Sequence, residues 1–296
     1  MADLVTIFCE VDDFCKEFKN QYEQRLLSAG KGKRKRAFTM TMSEVMTISI
    51  WYHHSGYATF KDFYTKEVEV HLTQEFRLVS YNRFIELRRS IVVPLLIFLL
   101  TRKLADCTGL SFIDSFKLEA CHIKRAPKHK VLASIAKKSK TSTGWFYGTK
   151  VHLIINQKGE IVSFLLTPGN VSDNNQNLLI RITKKIWGKL FGDKGYLVNP
   201  ETFEKLFANG VHLVTNIRKN MKNKLMDLSD KLLLKKRGVI ESVGNILKNR
   251  VYIQHTRHRS LWGFLLNIIS SLIAYQQREV KPTITLNLRP QRPLPA

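Results

Sequence analysis

Acidic residues are scarce. Only 24 Asp and Glu stand against 48 Lys and Arg in 296 residues, which leaves a formal charge of +24 and a pI near 10.0. Such an imbalance repels itself in a compact chain and calls for an anionic partner, nucleic acid ahead of a membrane surface or an RNA scaffold. Long apolar runs are missing as well. The longest, Ile91 to Leu100, contains Pro94 and falls well short of the roughly 20 residues a spanning helix needs, so it reads as a buried helix. Leu261 to Tyr275 is broken by Asn267, Ser270 and Ser271 and reads as a core helix with a polar stripe. The N-terminus carries Asp3, Glu10, Asp12 and Asp13 where a signal peptide needs positive charge and then an apolar stretch. A cytoplasmic location is therefore expected. Cysteine is rare: Cys9, Cys15, Cys107 and Cys121 show no CxxC spacing and no disulfide framework, and are expected to be reduced thiols. Nine histidines without paired cysteines argue against a zinc finger. No internal repeat is present.

What remains is a chain with 44% hydrophobic residues, enough for a full core in one large domain or two smaller ones. Residues 1–105 show helical spacing, as in Val5, Phe8, Val11, Cys15 and Phe18, with no strand alternation. A basic run, Lys31 to Arg36, reads either as a solvated loop or as an arm that grips phosphate. Thr41 and Ser43 offer caps for a helix to about His53, with Glu44 in its first turn and Gly56 at its end. A short helix over Tyr57 to Tyr64 would complete a pair of the helix-turn-helix kind.

Near residue 110 the texture changes. Leu110 to Asp114 reads as a short strand. Trp145 to Asn156 and Ile161 to Leu166 form a hairpin about the turn Gln157-Lys158-Gly159. Ser172 and Asp173 offer caps for a helix through Trp187. Leu190 to Gly192 is a brief strand, Pro200 to Asn209 a helix closed by Gly210, and Val211 to Ile217 another strand. The chain is helical again from Arg237, and 281–296 is a polar tail with several prolines. This order predicts an α+β, mixed architecture: a helical N-terminal region (1–105), then a mixed β-sheet flanked by helices (106–280), the RNase H-like arrangement.

Three acids stand out. Asp114 ends an apolar strand in Phe-Ile-Asp-Ser. Asp193 follows a strand in Phe-Gly-Asp-Lys-Gly-Tyr, and Glu241 lies on a helix in Arg-Gly-Val-Ile-Glu-Ser. Carboxylates gathered in a cluster repel one another unless a cation is bound, and Mg²⁺ prefers oxygen ligands. Such a set suits phosphodiester chemistry, in which metal ions activate a nucleophile and neutralise a leaving oxygen.

Together with Gly-Trp-Phe-Tyr-Gly-Thr-Lys-Val-His at Gly144 to His152 and Ile-Glu-Ser-Val-Gly-Asn-Ile-Leu-Lys at Ile240 to Lys248, these motifs resemble bacterial insertion-sequence transposases of the DDE type. The insertion-sequence-982 family is the nearest group. Leu4 to Cys15 and Arg257 to Ser260 agree with it, so the resemblance spans nearly the whole chain. It implies an RNase H-like catalytic domain with Asp114, Asp193 and Glu241 as the metal-holding triad, and Lys248 as the basic residue after the glutamate. It further implies two Mg²⁺ ions, with Mn²⁺ as a substitute. The partners implied are double-stranded DNA, both terminal inverted repeats and target DNA, and a homodimer or larger synaptic complex on the bacterial nucleoid. One departure is Gly238, where a bulkier residue favours helix.

Lys33, Arg34, Lys35, Arg36, Lys150, Lys194 and Lys248 are the candidate DNA contacts. Asp173 is the chief rival among the acids, but capping accounts for it. Glu119 lies five residues from Asp114 and would face the other side of a continuing strand. His152 and Lys150 share one strand face, which a solvated sheet edge explains as easily as DNA contact. Trp145, Phe146 and Tyr147 read as core before they read as base-stacking residues. Two readings compete with strand transfer: a descendant that only binds DNA, and a nuclease of the same fold that only hydrolyses it.

Overall fold

The computed structural model describes residues 3–28, 39–141, 144–216, 226–254 and 258–284. The basic run with Lys33, Arg34, Lys35 and Arg36 lies outside the described residues, as do Ile217, His255 and Arg257.

The N-terminal part is helical: α1 (Leu4–Ser28), α2 (Met42–Ser55), α3 (Phe60–Phe63), α4 (Glu69–His71), α5 (Tyr81–Leu87) and α6 (Val92–Phe98). The buried stripe of α1 is Ile7, Val11, Phe14 and Cys15, with Phe8 and Phe18 packed against it; of the expected stripe Val5 alone is exposed. Helix α2 starts as its sequence dictates. Thr41 and Glu44 form a reciprocal capping box, and Gly56 closes the helix in the left-handed region at φ 78°. Helix α3 begins at Phe60, later than Tyr57, because Thr59 supplies the cap by accepting from the Asp62 N–H. Pro94 sits buried in the first turn of α6, where a missing N–H costs no intrahelical bond.

Among the described residues six strands follow: β1 (Leu110–Cys121), β2 (Lys137–Thr141), β3 (Gly144–Asn156), β4 (Ile161–Pro168), β5 (Gly188–Gly192) and β6 (Val211–Thr215). Strand β3 runs antiparallel to β1 and also pairs with β2 and with β4, while β1, β5 and β6 run parallel. The path β4-β3-β1-β5-β6, antiparallel and then parallel, is the RNase H-like order. Helices α7 (Gln176–Ile182) and α8 (Pro200–Ala208) cover one face. The other receives α9 (Leu228–Lys236), α10 (Gly238–Asn249) and α11 (Leu261–Gln276).

Strand alternation divides the apolar residues between these faces. Ile113 and Ile154 join Leu179, Leu190 and Leu206, whereas Phe112 and Leu153 join Val243, Leu272 and the N-terminal helices. One continuous core thus runs from Ile7 through the sheet to Tyr275. Each fully buried large side chain contributes about 1.5–3 kcal/mol, and α11 alone buries Leu266, Ile268, Ile269, Leu272 and Ile273.

Three expectations need correction. Strand β1 continues past Asp114 to Cys121 because Phe116, Leu118 and Ala120 alternate with Ser115, Lys117 and Glu119. The strand β2 is an element the sequence reading lacked. Helix α7 is capped by Asn175, which accepts from the Leu178 N–H, and it ends at Ile182; Ser172 and Asp173 lie ahead of it in a turn, and Trp187 lies beyond.

Candidate active site

Asp114 projects from β1 on the face that α10 covers. The two elements enclose a cleft of about 200 Å³ whose walls include Asp114, Phe116, Leu153, Glu241, Gly244 and Lys248. Helix period explains the α10 contribution: Glu241, Gly244 and Lys248 follow one another at three and four residues along one face, while Val239, Ile240, Val243 and Leu247 are buried. Gly244 keeps the floor open, since a Cβ there would meet only Phe116, at 3.8 Å. Gly238 opens α10 without strain, because a Cβ at that position meets nothing within 4 Å.

Burial of Asp114 dominates the electrostatics of the cleft. Burial pushes the Asp114 carboxyl up to about 6; the Ser115 N–H and the Arg237 charge pull it down, while Asp193 and Glu241 push it further up. Arg237, one helical turn ahead of Glu241, reaches both acids. Its Nη2 donates to Glu241 Oε1 at 2.8 Å, and its Nη1 lies 3.8 Å from Asp114 Oδ2. That guanidinium is largely buried and was not among the residues singled out from sequence; its i, i+4 spacing to Glu241 was the signal available. Lys248 lies over the Phe116 ring, its Nζ 5.0 Å from the centroid. Burial lowers its pKa, and the Asp114 charge opposes the shift.

Asp193 stands where β5 ends, its Oδ1 accepting from the Gly195 N–H at 2.8 Å. Gly192 before it is needed for packing: a Cβ there would come within 3.0 Å of Tyr196 Cβ and 3.2 Å of Ile113 Cγ2. Lys194 is exposed beside it. The buried Tyr196 phenol has its pKa raised, first by burial and then by the charges of Asp173, Asp114 and Asp193.

Asp173 is no helix cap. It turns toward the sheet, where its Oδ1 accepts from Ser115 Oγ at 2.9 Å and from Lys150 Nζ at 3.2 Å. Lys150 also donates to the Val171 carbonyl at 3.0 Å. His152 is fully buried, so the solvated-edge reading fails for it; its Nε2 lies 2.9 Å from Thr167 Oγ1. This cluster occupies the face of β1 opposite Asp114 and braces the residue next to it. Glu119 pairs with Lys117 at 2.7 Å and stays away from the cleft. Phe146 and Tyr147 are core residues as expected, but Trp145 is 63% exposed.

Among the described residues, no three His, Cys, Asp or Glu side chains are drawn close enough to hold a metal ion. The donors of the cleft nonetheless suit one by chemistry. They are carboxylate oxygens, the ligands that hard divalent ions take, and the upward push on Asp114, chiefly from burial with smaller contributions from Asp193 and Glu241, is a cost to its charged form that a bound cation would offset. No helix among the described residues is long and apolar enough to cross a membrane.

A family profile described as "Transposase DDE domain" matches residues 104–261. No curated protein sequence matches the chain. Among solved structures, a Mos1 transposase paired-end complex with left transposon end is similar at 13% identity and TM-score 0.26, over 88% of this chain and 87% of that one. A Mos1 strand transfer complex is similar at 12% identity and TM-score 0.25, over 90% and 88%.

Proposed function

Because the chain belongs to the transposase DDE domain family, we propose that it binds the terminal inverted repeats of a mobile element and cuts and joins DNA strands there with divalent metal ions. The observation that supports this reading best is the cleft itself: Asp114, Glu241 and Lys248 line one cavity, with Asp193 near enough to act on Asp114. Asp114, Asp193 and Glu241 would hold two Mg²⁺ ions, or Mn²⁺ in their place. Bound there, the ions supply an activated water or hydroxyl and neutralise the leaving oxygen.

The chain's own residues do the rest. Arg237 bridges Asp114 and Glu241 and keeps the two carboxylates apart and oriented. Lys248, roughly 10 Å along the helix axis from Glu241, holds the phosphate beside the scissile bond. Lys194, exposed next to Asp193, takes a further phosphate. Asp173 acts through Lys150 and Ser115 to fix the strand that carries Asp114.

End recognition is assigned to residues 1–105, with Lys33, Arg34, Lys35 and Arg36 on the backbone. Cutting two ends in concert calls for a homodimer or larger synaptic complex on nucleoid DNA in the cytoplasm. The motifs around Asp114, Asp193 and Glu241 favour the insertion-sequence-982 group within the family. The test is to incubate purified protein with end-labelled element DNA and Mg²⁺ and to map every strand end. Asp114→Asn, Asp193→Asn and Glu241→Gln should each abolish cleavage while end binding persists, since an amide keeps the shape but removes the charge. Cleavage by any of the three at the parent rate removes that residue from the set.

A further inference from the structure

From Ala120 to Gly159 the chain has no acidic residue at all. The segment holds the short helical turn Ile123–Lys128, the strand β2 and the start of β3. Lys124, Arg125, Lys128 and Lys130 are exposed on the turn and just after it. Lys137, Lys138 and Lys140 are exposed on β2, at the outer edge of the sheet. None of these seven forms an ion pair with a described residue. Beside them Trp145 is 63% exposed, directly opposite Lys140 in the β2–β3 register.

Edge lysines also guard a sheet against pairing with another chain. That role needs neither the four cations around the helical turn nor a Trp left in water.

The surface is aligned with the catalytic face. Lys140 pairs with Trp145, Lys138 with Tyr147 and Asp114 with Leu153. Odd-numbered positions of β3 from Trp145 to Leu153 share a face, so Trp145, Lys138, Lys140 and Asp114 lie on the same side of the sheet. Eight residues along the strand separate Trp145 from the position opposite Asp114, about 26 Å at roughly 3.3 Å per residue. That is the length of about eight base pairs at roughly 3.4 Å each.

We propose that this basic hairpin and the turn before it form a second DNA-binding surface, which grips the phosphate backbone of the target duplex, with Trp145 stacked or wedged against it. The proposal rests on the transposase reading above. The residue types decide which duplex. Between His122 and Trp145 there is no Asn, Gln, Asp or Glu, and Arg125 is the one guanidinium, the rigid fork that suits bidentate contact with a base edge where lysine offers a flexible point charge. A surface of lysines positions DNA without reading it. That suits a duplex accepted independently of its sequence, and is ill matched to a terminal repeat that must be recognised.

The test uses the full chain, with the triple substitution Lys137→Gln, Lys138→Gln, Lys140→Gln and, separately, Trp145→Ala. Thermal melting checks the fold. If the triple variant unfolds, Lys124→Gln, Arg125→Gln, Lys128→Gln takes its place. Affinity for a random-sequence duplex without metal should fall at least tenfold in the triple variant. Its salt slope should flatten by about 2, at roughly 0.9 per lost phosphate contact, because Lys138 and Lys140 share the face of Trp145 and Lys137 lies on the other. In joining of pre-cleaved ends to a plasmid, the target concentration for half-maximal product should rise about tenfold, for Trp145→Ala as well, with end cleavage unchanged. Unaltered random-duplex affinity overturns the proposal. So does an equal loss of affinity for the element end, which would give the surface to element DNA. A wild-type protein that neither cuts nor joins overturns the transposase reading instead, and the random-duplex measurement still decides whether this surface binds DNA.

Discussion

Replacing Asp173 by Asn should loosen the strand that carries Asp114 without touching the cleft. The carboxylate accepts from Ser115 at 2.9 Å and from Lys150 at 3.2 Å, both on the same oxygen. A hydrogen bond to a charged group contributes about 1.5–3 kcal/mol, and stripping one partner from a buried ion pair costs about 3–5 kcal/mol. Asp173 is 27% exposed and Lys150 14%, so water screens part of that interaction. The expected loss for Asp173→Asn is therefore about 2 kcal/mol, toward the lower end of those ranges. Lys150→Met removes the same pair from the other side, and the double variant should reveal a coupling of about 1–2 kcal/mol. Urea unfolding followed by fluorescence gives the numbers, with the dependence on denaturant unchanged between variants. Cleavage should slow while end binding stays. A loss below about 0.5 kcal/mol, or strict additivity of the two substitutions, would mean that Asp173 is simply solvated and that β1 needs no brace.

Lys248→Ala should lower cleavage and joining far more than it lowers end affinity or melting temperature; wild-type single-turnover strand transfer would return this residue to ordinary packing on Phe116. His53 and His152 are held neutral by burial, at about 3 and about 4 against 6.5. The unfolded chain therefore binds protons first as pH falls below 6.5. Stability is full above that value and should drop by about 1.4 kcal/mol per histidine at pH 5.5, which unfolding at pH 7.5 and 5.5 measures; a flat profile refutes it. Neutralising Lys33, Arg34, Lys35 and Arg36 should weaken binding to every duplex and flatten its salt dependence, and an unchanged slope would make the run a solvated loop.

The sheet-bearing half was legible where pattern is strong. Alternation announced the β3–β4 hairpin, and the apolar runs placed Asp114 on a strand, Asp193 just after one and Glu241 on a helix. Helix α2 could be read closely, ending at Ser55 just beyond the expected His53, since Thr41, Glu44 and Gly56 are local signals. What escaped depended on distant partners. Asp173 looks like a cap in sequence because it precedes a helix, but Lys150 and Ser115 draw it to the sheet, and Asn175 does the capping. The strand β2 has a lysine-rich pattern with no apolar face and exists only because β3 offers it a partner. His152 looked solvated because period two puts it with Lys150, and its burial follows from β4 and Asp173 lying over it.

The place of α11 in the core bears on how the chain is made. Its buried face packs against α2, a helix completed early in synthesis; His54 and Gln277, which meet across that contact, are 223 residues apart. At roughly 5–20 residues per second the ribosome takes about 10–45 s to cover that distance. Throughout that interval the face of α2 that α11 covers lacks that partner. A chain stopped before Leu261 has the cleft residues Asp114, Glu241 and Lys248 but lacks the helix that packs against both α10 and α2, so truncation there should leave the cleft without its tie to the N-terminal helices.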